Sequence, residues 1–335
     1  MPAEWEPLRR IWVCCPTNPQ TWPDGLLPAA RRQWHAWVAA LREVVEVVDL
    51  TEVLPDSQHP EDAWVRDYGP VFCVDNGRTV AHNFRFDTWG GKYPPWDRSD
   101  AVPRRLAAWS ESQPQEAPWL LRDHPMTLEG GSIESNGSGT LLTTSACLLH
   151  PSRNPHLNQS ELEAVLQAEL GVERVVWLPG GMAGDDTDGH QDDVARWLSP
   201  TLVAAVLPED PHHPDAEALR ANWQTLADAG LERVALPPVD PLLVRNPHTP
   251  GEPLPASHAN WVIAEDTLFL PVFGGASDDL AAERLAAAAP RLRVRPVRCE
   301  HLLPGLGGLH CLSCHQPAVD PGPVPGPAAS AAGVG

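Results

Sequence analysis

The chain is nearly without lysine: Lys92 is the only one among 335 residues. A Schiff-base enzyme would have to use that residue. A P-loop would need it too, and the GxxxxGK spacing fails because position 86 is Phe86 rather than glycine. Basic residues are scarce overall, with Lys+Arg 24 against Asp+Glu 44 and a net charge of −20. Without a basic run, the chain is a poor candidate for nucleic acid or an anionic membrane. The acidity suits a cationic ligand, although it also serves solubility. No stretch approaches eighteen apolar residues, and the start, Met1 to Trp5, has neither a charged n-region nor an apolar h-region. A soluble, cytoplasmic protein is expected. The cysteines number seven, an odd count in a large chain without a signal peptide, so reduced thiols are expected rather than a disulfide framework.

What is present is a repeat. At 335 residues and 42% hydrophobic composition the chain can bury a substantial core. Helical periodicity recurs five times, roughly every 60 residues. The first helix follows Pro28, with Trp34, Trp37, Val38 and Leu41 on one face. The second runs from about Ser99 to Trp109. The third opens on a Ser160…Glu163 capping box and stops at Gly171. The fourth carries Leu219, Trp223 and Leu226 and stops at Gly230, and the fifth lies between Ser277 and Pro290. β-rich runs follow these helices at Val45–Leu50, Trp119–Arg122, Val172–Leu178, Val234–Pro237 and Leu292–Val297. Others precede several of them, at Pro70–Val74, Leu141–Leu149, Leu202–Leu207 and Trp261–Val272. The pattern predicts about five strand-helix-strand units, and periodicity alone divides evenly between a closed or stacked repeat and a doubly wound α/β sheet. The last segment, residues 318–335, is Pro-, Gly- and Ala-rich with a single charge at Asp320, which predicts a disordered tail.

Polar residues that a core does not need gather in four places. These are Trp64-Val65-Arg66-Asp67-Tyr68-Gly69-Pro70, Leu128-Glu129-Gly130-Gly131-Ser132, the acidic run Asp185 to Asp193 around His190, and Gly307 to His315. Each has an ordinary structural explanation: a turn hydrogen bond, a tight loop, a solvated acidic face, an inert buried thiol. Three chemistries fit the last cluster. Cys311-Leu312-Ser313-Cys314-His315 matches the haem-attachment pattern, which needs an exported chain. His310, Cys311, Cys314 and His315 are spaced for zinc, with no second ligand pair elsewhere. Alternatively, a nucleophilic cysteine stands behind a glycine turn.

Taken together, the four clusters suit one reaction. A guanidinium is planar, permanently charged and carries five N–H donors, so holding it takes carboxylates placed in its plane. Asp67, Glu129 and Asp192 can supply them. Its carbon is a weak electrophile and calls for a thiolate, with a histidine to protonate departing ammonia and then activate water. Cys311 and His190 fit those roles.

These motifs, in this order, resemble the agmatine deiminase family, which includes the bacterial type of peptidyl-arginine deiminase. The resemblance runs from Pro2-Ala3-Glu4-Trp5-Glu6-Pro7 through Phe86–Gly91, Arg153-Asn154-Pro155 and Trp177-Leu178-Pro179-Gly180 to Gln316-Pro317. It implies a five-fold pseudo-symmetric α/β propeller as one catalytic domain over residues 1–317, with a central site and no metal or organic cofactor. It places the nucleophile at Cys311, the Gly-His-x-Asp pair at His190 and Asp192, and the remaining carboxylates at Asp67 and Glu129. Trp64 is then a stacking wall for the substrate, and Asp186 a partner for its distal ammonium. The implied reaction converts agmatine to N-carbamoylputrescine and ammonia through an S-amidino cysteine, a step of putrescine biosynthesis. Peptidyl-arginine or another guanidine is the alternative substrate. From other classes come an idle binder of cationic ligands and the haem or zinc protein. The expected partner is a small cationic guanidine, with a homo-oligomer allowed. The sequence departs from the family where Gly91 runs directly into Lys92-Tyr93-Pro94-Pro95, at Ser257-His258-Ala259-Asn260-Trp261, and at Cys314-His315.

Overall fold

A computed structural model describes residues 1–114 and 117–319. The strands and long helices fall in chain order as β1 (Leu8–Val13), α1 (Leu27–Leu41) and β2 (Val47–Asp49), then β3 (Val71–Asp75), β4 (Arg78–Arg85), α2 (Val102–Glu111) and β5 (Leu120–Thr127). Next come β6 (Ile133–Ser135), β7 (Thr140–Thr144), α3 (Gln159–Leu170) and β8 (Arg174–Leu178). The fourth set is β9 (Ala195–Trp197), β10 (Leu202–Val206), α4 (Ala216–Asp228) and β11 (Glu232–Leu236). The fifth is β12 (Val262–Ala264), β13 (Thr267–Val272), α5 (Ala276–Ala288) and β14 (Arg293–Arg298), and β15 (Ser313–Pro317) closes the chain.

Among the described residues these strands make five three-stranded sheets. Each sheet has one antiparallel and one parallel pairing, the parallel one spanned by a long helix. A parallel pair cannot be joined by a tight turn, so the crossover helix follows from the pairing. The unit is therefore strand-strand-helix-strand, one strand longer than the sequence repeat predicts. In the first sheet the antiparallel strand comes from the opposite end of the chain: β15 pairs with β1, and the Trp12 indole N–H donates to Gln316 Oε1 at 3.1 Å. That pairing closes the five units into the expected pseudo-symmetric α/β propeller.

Local chemistry explains the element boundaries and corrects three expectations. α3 is capped by Asn158 and Glu161, two residues before the expected Ser160…Glu163 pair. The Asn158 side chain accepts from Glu161 N, and Glu161 Oε2 accepts from Asn158 N. Glu163 instead accepts from the Trp177 indole at 2.6 Å. Leu162, Leu166 and Leu170 form the buried stripe of α3, each contributing about 1.5–3 kcal/mol of burial, and Gly171 ends it at φ 66°. The Leu141–Leu149 run is strand only to Thr144, and the Trp261–Val272 run folds back on itself as β12 and β13. The expected tail lies outside the described residues from 320 onward. No described helix is long and apolar enough to cross a membrane.

Candidate active site

Pseudo-symmetry sets the site. In every unit the segment just before the inner antiparallel strand carries a polar residue: Asp67 before β3, Glu129 before β6, His190 and Asp192 before β9, Asn260 before β12 and Cys311 before β15. Strand ends of five related sheets thereby meet. The backbone N–H of Gly131 donates to Asp67 Oδ1 at 3.0 Å, and Arg66 N donates to Cys311 O at 3.2 Å. His190 Nδ1 lies 3.7 Å from Asp67 Oδ1 and 4.0 Å from Asp192 Oδ1. A Cβ on Gly131 would fall 2.7 Å from His190 Nδ1, 2.8 Å from Asp67 Oδ1 and 3.0 Å from Asp192 Oδ2, so only glycine leaves the space between these groups open.

Cys311 lies beside that space. Its Sγ is 3.2 Å from Asn260 Nδ2 and 3.8 Å from Asp192 Oδ2. Burial, then the Asp192, Asp193 and Asp67 carboxylates, push its thiol well above the ordinary range. The thiol therefore stays protonated until positive charge arrives. Burial, then Glu129, raises Asp67 to about 7, although Trp89 Nε1–H donates to its Oδ2 at 3.0 Å. Burial and neighbouring Asp67 raise Asp192 well above the usual carboxylate range. Burial and Arg153 hold His190 well below an ordinary histidine. Both its ring nitrogens and Asp192 Oδ1 are buried without a hydrogen-bond partner. Burial thus favours the uncharged form of the imidazole, the thiol and both carboxyls.

The structure brings Cys311, His190, Asp67 and Asp192 together around one space. Glu129 stands one step back: Arg153 Nε donates to its Oε1 at 2.6 Å, while its Oε2 has no partner. One Glu129 oxygen, the Cys147 sulfur and a His190 ring nitrogen lie within 4.8 Å of one another. That grouping would suit a cation, but Arg153 already supplies positive charge there. Trp64 is 4% exposed, its ring centroid 5.4 Å from that of Trp22, and it packs over Gly307. Asp186 is at the surface, where Tyr93 Oη–H donates to its Oδ2 at 2.5 Å and Lys92 Nζ sits 3.8 Å from its Oδ1. Lys92 Nζ also donates to Asp188 Oδ1 at 3.0 Å, and Asp188 accepts from Arg153 at 2.8 Å.

The zinc and haem alternatives for the last motif fail on geometry. Cys314 Sγ turns away to Pro70 O, 3.4 Å distant, whereas Cys311 faces Asn260. His310 points to Asp192 and Glu4, and His315 to Arg66 and Ile263 O. The four side chains do not converge. Sequence reasoning missed Asn260, Trp89, Arg153 and Glu4 as site components. The five-fold repeat was a usable signal for Asn260, which occupies the fifth equivalent position.

Known proteins share this architecture over the whole described ring. The agmatine deiminase of Pseudomonas fluorescens is 31% identical over 95% of this chain and 95% of its own. The solved structure of the agmatine deiminase of Enterococcus faecalis superposes with a TM-score of 0.86 at 30% identity, covering 95% of both chains. A C. jejuni agmatine deiminase with substrate bound gives a TM-score of 0.83 at 27% identity, over 94% of this chain and 95% of that one. The model of the Porphyromonas-type peptidyl-arginine deiminase family matches residues 1–317, and the chain belongs to that family.

Proposed function

We propose that the protein is an agmatine deiminase, hydrolysing the guanidinium C–N bond to N-carbamoylputrescine and ammonia in putrescine formation. One observation carries the reading: a buried histidine lies 3.7 Å from Asp67 and 4.0 Å from Asp192, and the buried Cys311 thiol lies 3.8 Å from the same Asp192 carboxyl. A planar cation entering there meets Asp67 and Asp192 as bidentate partners. Its charge offsets the carboxylates that keep Cys311 protonated, so thiolate and bound cation become stable together. The Cys311 thiol passes its proton to His190 as Sγ attacks the guanidinium carbon; the imidazolium so formed protonates the leaving nitrogen, the C–N bond breaks with its electron pair on that ammonia, and the amidino group remains on sulfur. His190 then takes a proton from water, which attacks that carbon and releases the ureido product. Glu129, fixed by Arg153, keeps a carboxylate oxygen within 4.8 Å of a His190 ring nitrogen, where it favours the imidazolium as that forms. Asn260 holds the sulfur in line. Trp64 supports the turn of Cys311 from beneath and bounds the substrate's chain side.

The substrate's distal ammonium is assigned to Asp186 and Asp188, where it replaces Lys92. The Lys92 and Tyr93 contacts to this acidic loop suit a small substrate over a folded peptide. The test is ureido-product formation across agmatine, arginine, 4-guanidinobutyrate and an arginyl peptide. Agmatine should give the highest kcat/KM. A tenfold preference for arginine or the peptide removes the substrate assignment but keeps deimination.

A further inference from the structure

Asp192 has a second layer behind it that the reaction above does not use. His310 Nδ1 lies 2.6 Å from Asp192 Oδ2, and His310 Nε2 lies 2.5 Å from Glu4 Oε1. His310 is 1% exposed, Asp192 0% and Glu4 8%. Both nitrogens of one buried ring thus face carboxyl oxygens at hydrogen-bond distance, so two protons are shared among three groups. The surroundings decide where they sit. On the Glu4 side stand two guanidinium groups, Arg196 Nη2 at 2.7 Å and Arg66 Nη2 at 3.3 Å, while His315, whose Nδ1 accepts from Arg66 at 2.6 Å, stays neutral. They hold Glu4 as a carboxylate, against its burial. On the Asp192 side burial and then Asp67 favour a proton on the carboxyl, outweighing the opposing Arg196 and Arg66, and Asp185 adds to them; burial and then Asp192 raise Asp193 in turn. Before substrate arrives, one proton is on Asp192 and the other on His310 Nε2, directed at Glu4.

A guanidinium needs the opposite state of Asp192. Its N–H donors require acceptors, and a protonated carboxyl offers one oxygen fewer. We propose that His310 and Glu4 form a proton-storing relay behind Asp192, which ionises the clamp when the guanidinium enters without releasing a proton to solvent. The Asp192 Oδ2–H bond breaks, its electron pair stays on oxygen, and the proton forms a bond to His310 Nδ1. The imidazolium so made is held by the Glu4 carboxylate on its other face, against burial and the nearby Arg196 and Arg66, which keep His310 neutral until the guanidinium enters. No other reactant is needed, and the proton returns when product leaves. His310 and Glu4 are positioning residues that act through Asp192. The inference rests on the deiminase reading.

Two measurements test it. Cys311→Ser protein, which binds without turnover, is titrated with agmatine near pH 8, where Asp67, raised to about 7, has already given up its proton, by calorimetry in buffers of contrasting ionisation heat. The relay predicts no net proton release. Cys311→Ser with His310→Asn should release about one proton per site, because Asp192 then ionises into solvent. In the active enzyme, Glu4→Gln keeps the shape of the contact without its charge. KM for agmatine should rise about tenfold with kcat falling less, and the acid limb of kcat/KM should move up by about one pH unit. Glu4→Asp should recover part of that shift. Equal proton release with and without His310, or a Glu4→Gln pH profile that superimposes on the parent's, overturns the relay and leaves deimination standing. If Glu4→Gln does not fold, the calorimetric pair, which keeps Glu4, decides alone. A parent enzyme inactive on every guanidine of the panel fails earlier and removes the reaction itself.

Discussion

A cysteine thiol in water ionises near pH 8.5, and a serine hydroxyl is far weaker as an acid, so the two cysteines of the last motif can be separated by substitution. Cys311 Sγ lies 3.8 Å from Asp192 Oδ2, whereas Cys314 Sγ contacts only Pro70 O among polar groups. Cys311→Ser should lose at least three orders of magnitude in kcat, and Cys314→Ser should keep most of it. Mass spectrometry of acid-quenched protein should find the amidino adduct on the Cys311 peptide; an adduct on Cys314 refutes the assignment. Asp67 carries a second prediction, in which activity and stability part. Its carboxyl is raised from 3.8 to about 7 by burial. Between those pH values the folded protein retains a proton that the unfolded chain gives up, so stability falls as pH rises and levels off above 7. Asp67→Asn removes that penalty. It should lower kcat/KM at least a hundredfold while raising Tm by about 1–3 °C at pH 8, with no gain at pH 4. Asp192→Asn should show the same loss of activity. A folded variant with near-parental rates shows that its residue does not hold the guanidinium.

The segment after β4 shows what one element adds. Trp89 has φ 58°, and its indole reaches Asp67, while Lys92 and Tyr93 tie the same segment to Asp186 and Asp188. The sole lysine of the chain therefore occupies the carboxylates to which a distal ammonium is assigned. Lys92 is 30% exposed, so its ion pairs are screened and worth little individually. Lys92→Met should raise the agmatine to 4-guanidinobutyrate ratio of kcat/KM about threefold. An unchanged ratio means that the distal group binds elsewhere. Sequence pattern located this element through its Trp-Gly-Gly motif. It did not give the Lys92 contacts, because Asp188 is 96 residues away along the chain.

At the scale of the whole molecule, closure of the ring depends on a few buried charges as well as on β15 pairing with β1. Arg196 on β9 is fully buried between Glu134 of β6 at 2.8 Å and Glu4 at 2.7 Å, and it donates to Trp261 O at 2.9 Å. One side chain thus joins three units and the N-terminal segment. Replacing it with leucine leaves Glu134 without its cation and Glu4 with Arg66 alone, and breaking a buried pair costs about 3–5 kcal/mol. Arg196→Leu should lower the urea midpoint and Tm markedly. Its KM should rise as well, since Glu4 then loses the nearer of its two cations. A variant as stable as the parent would show that these carboxyls simply take up protons.

The sequence by itself determined the five-fold repeat, the helix stripes and which polar clusters were candidates for the site, because periodicity and residue type are local properties. The Leu162, Leu166, Leu170 stripe and the Gly171 stop are readable in one segment. It misjudged features for which two local solutions exist. Asn158…Glu161 and Ser160…Glu163 have the same spacing, and only the path of the chain into α3 selects the first. Val262–Ala264 and Thr267–Val272 read as one apolar run, and the break at Glu265, with φ 53°, carries no glycine or proline to announce it. Tertiary structure alone decided the electrostatics. Glu4 meets His310 across 306 residues and Arg153 meets Glu129 across 24. The protonation states of Cys311, Asp67 and Asp192 are set by burial and by these distant partners. Coulombic and desolvation energies depend on distance in space, which residue order encodes only through the closed ring.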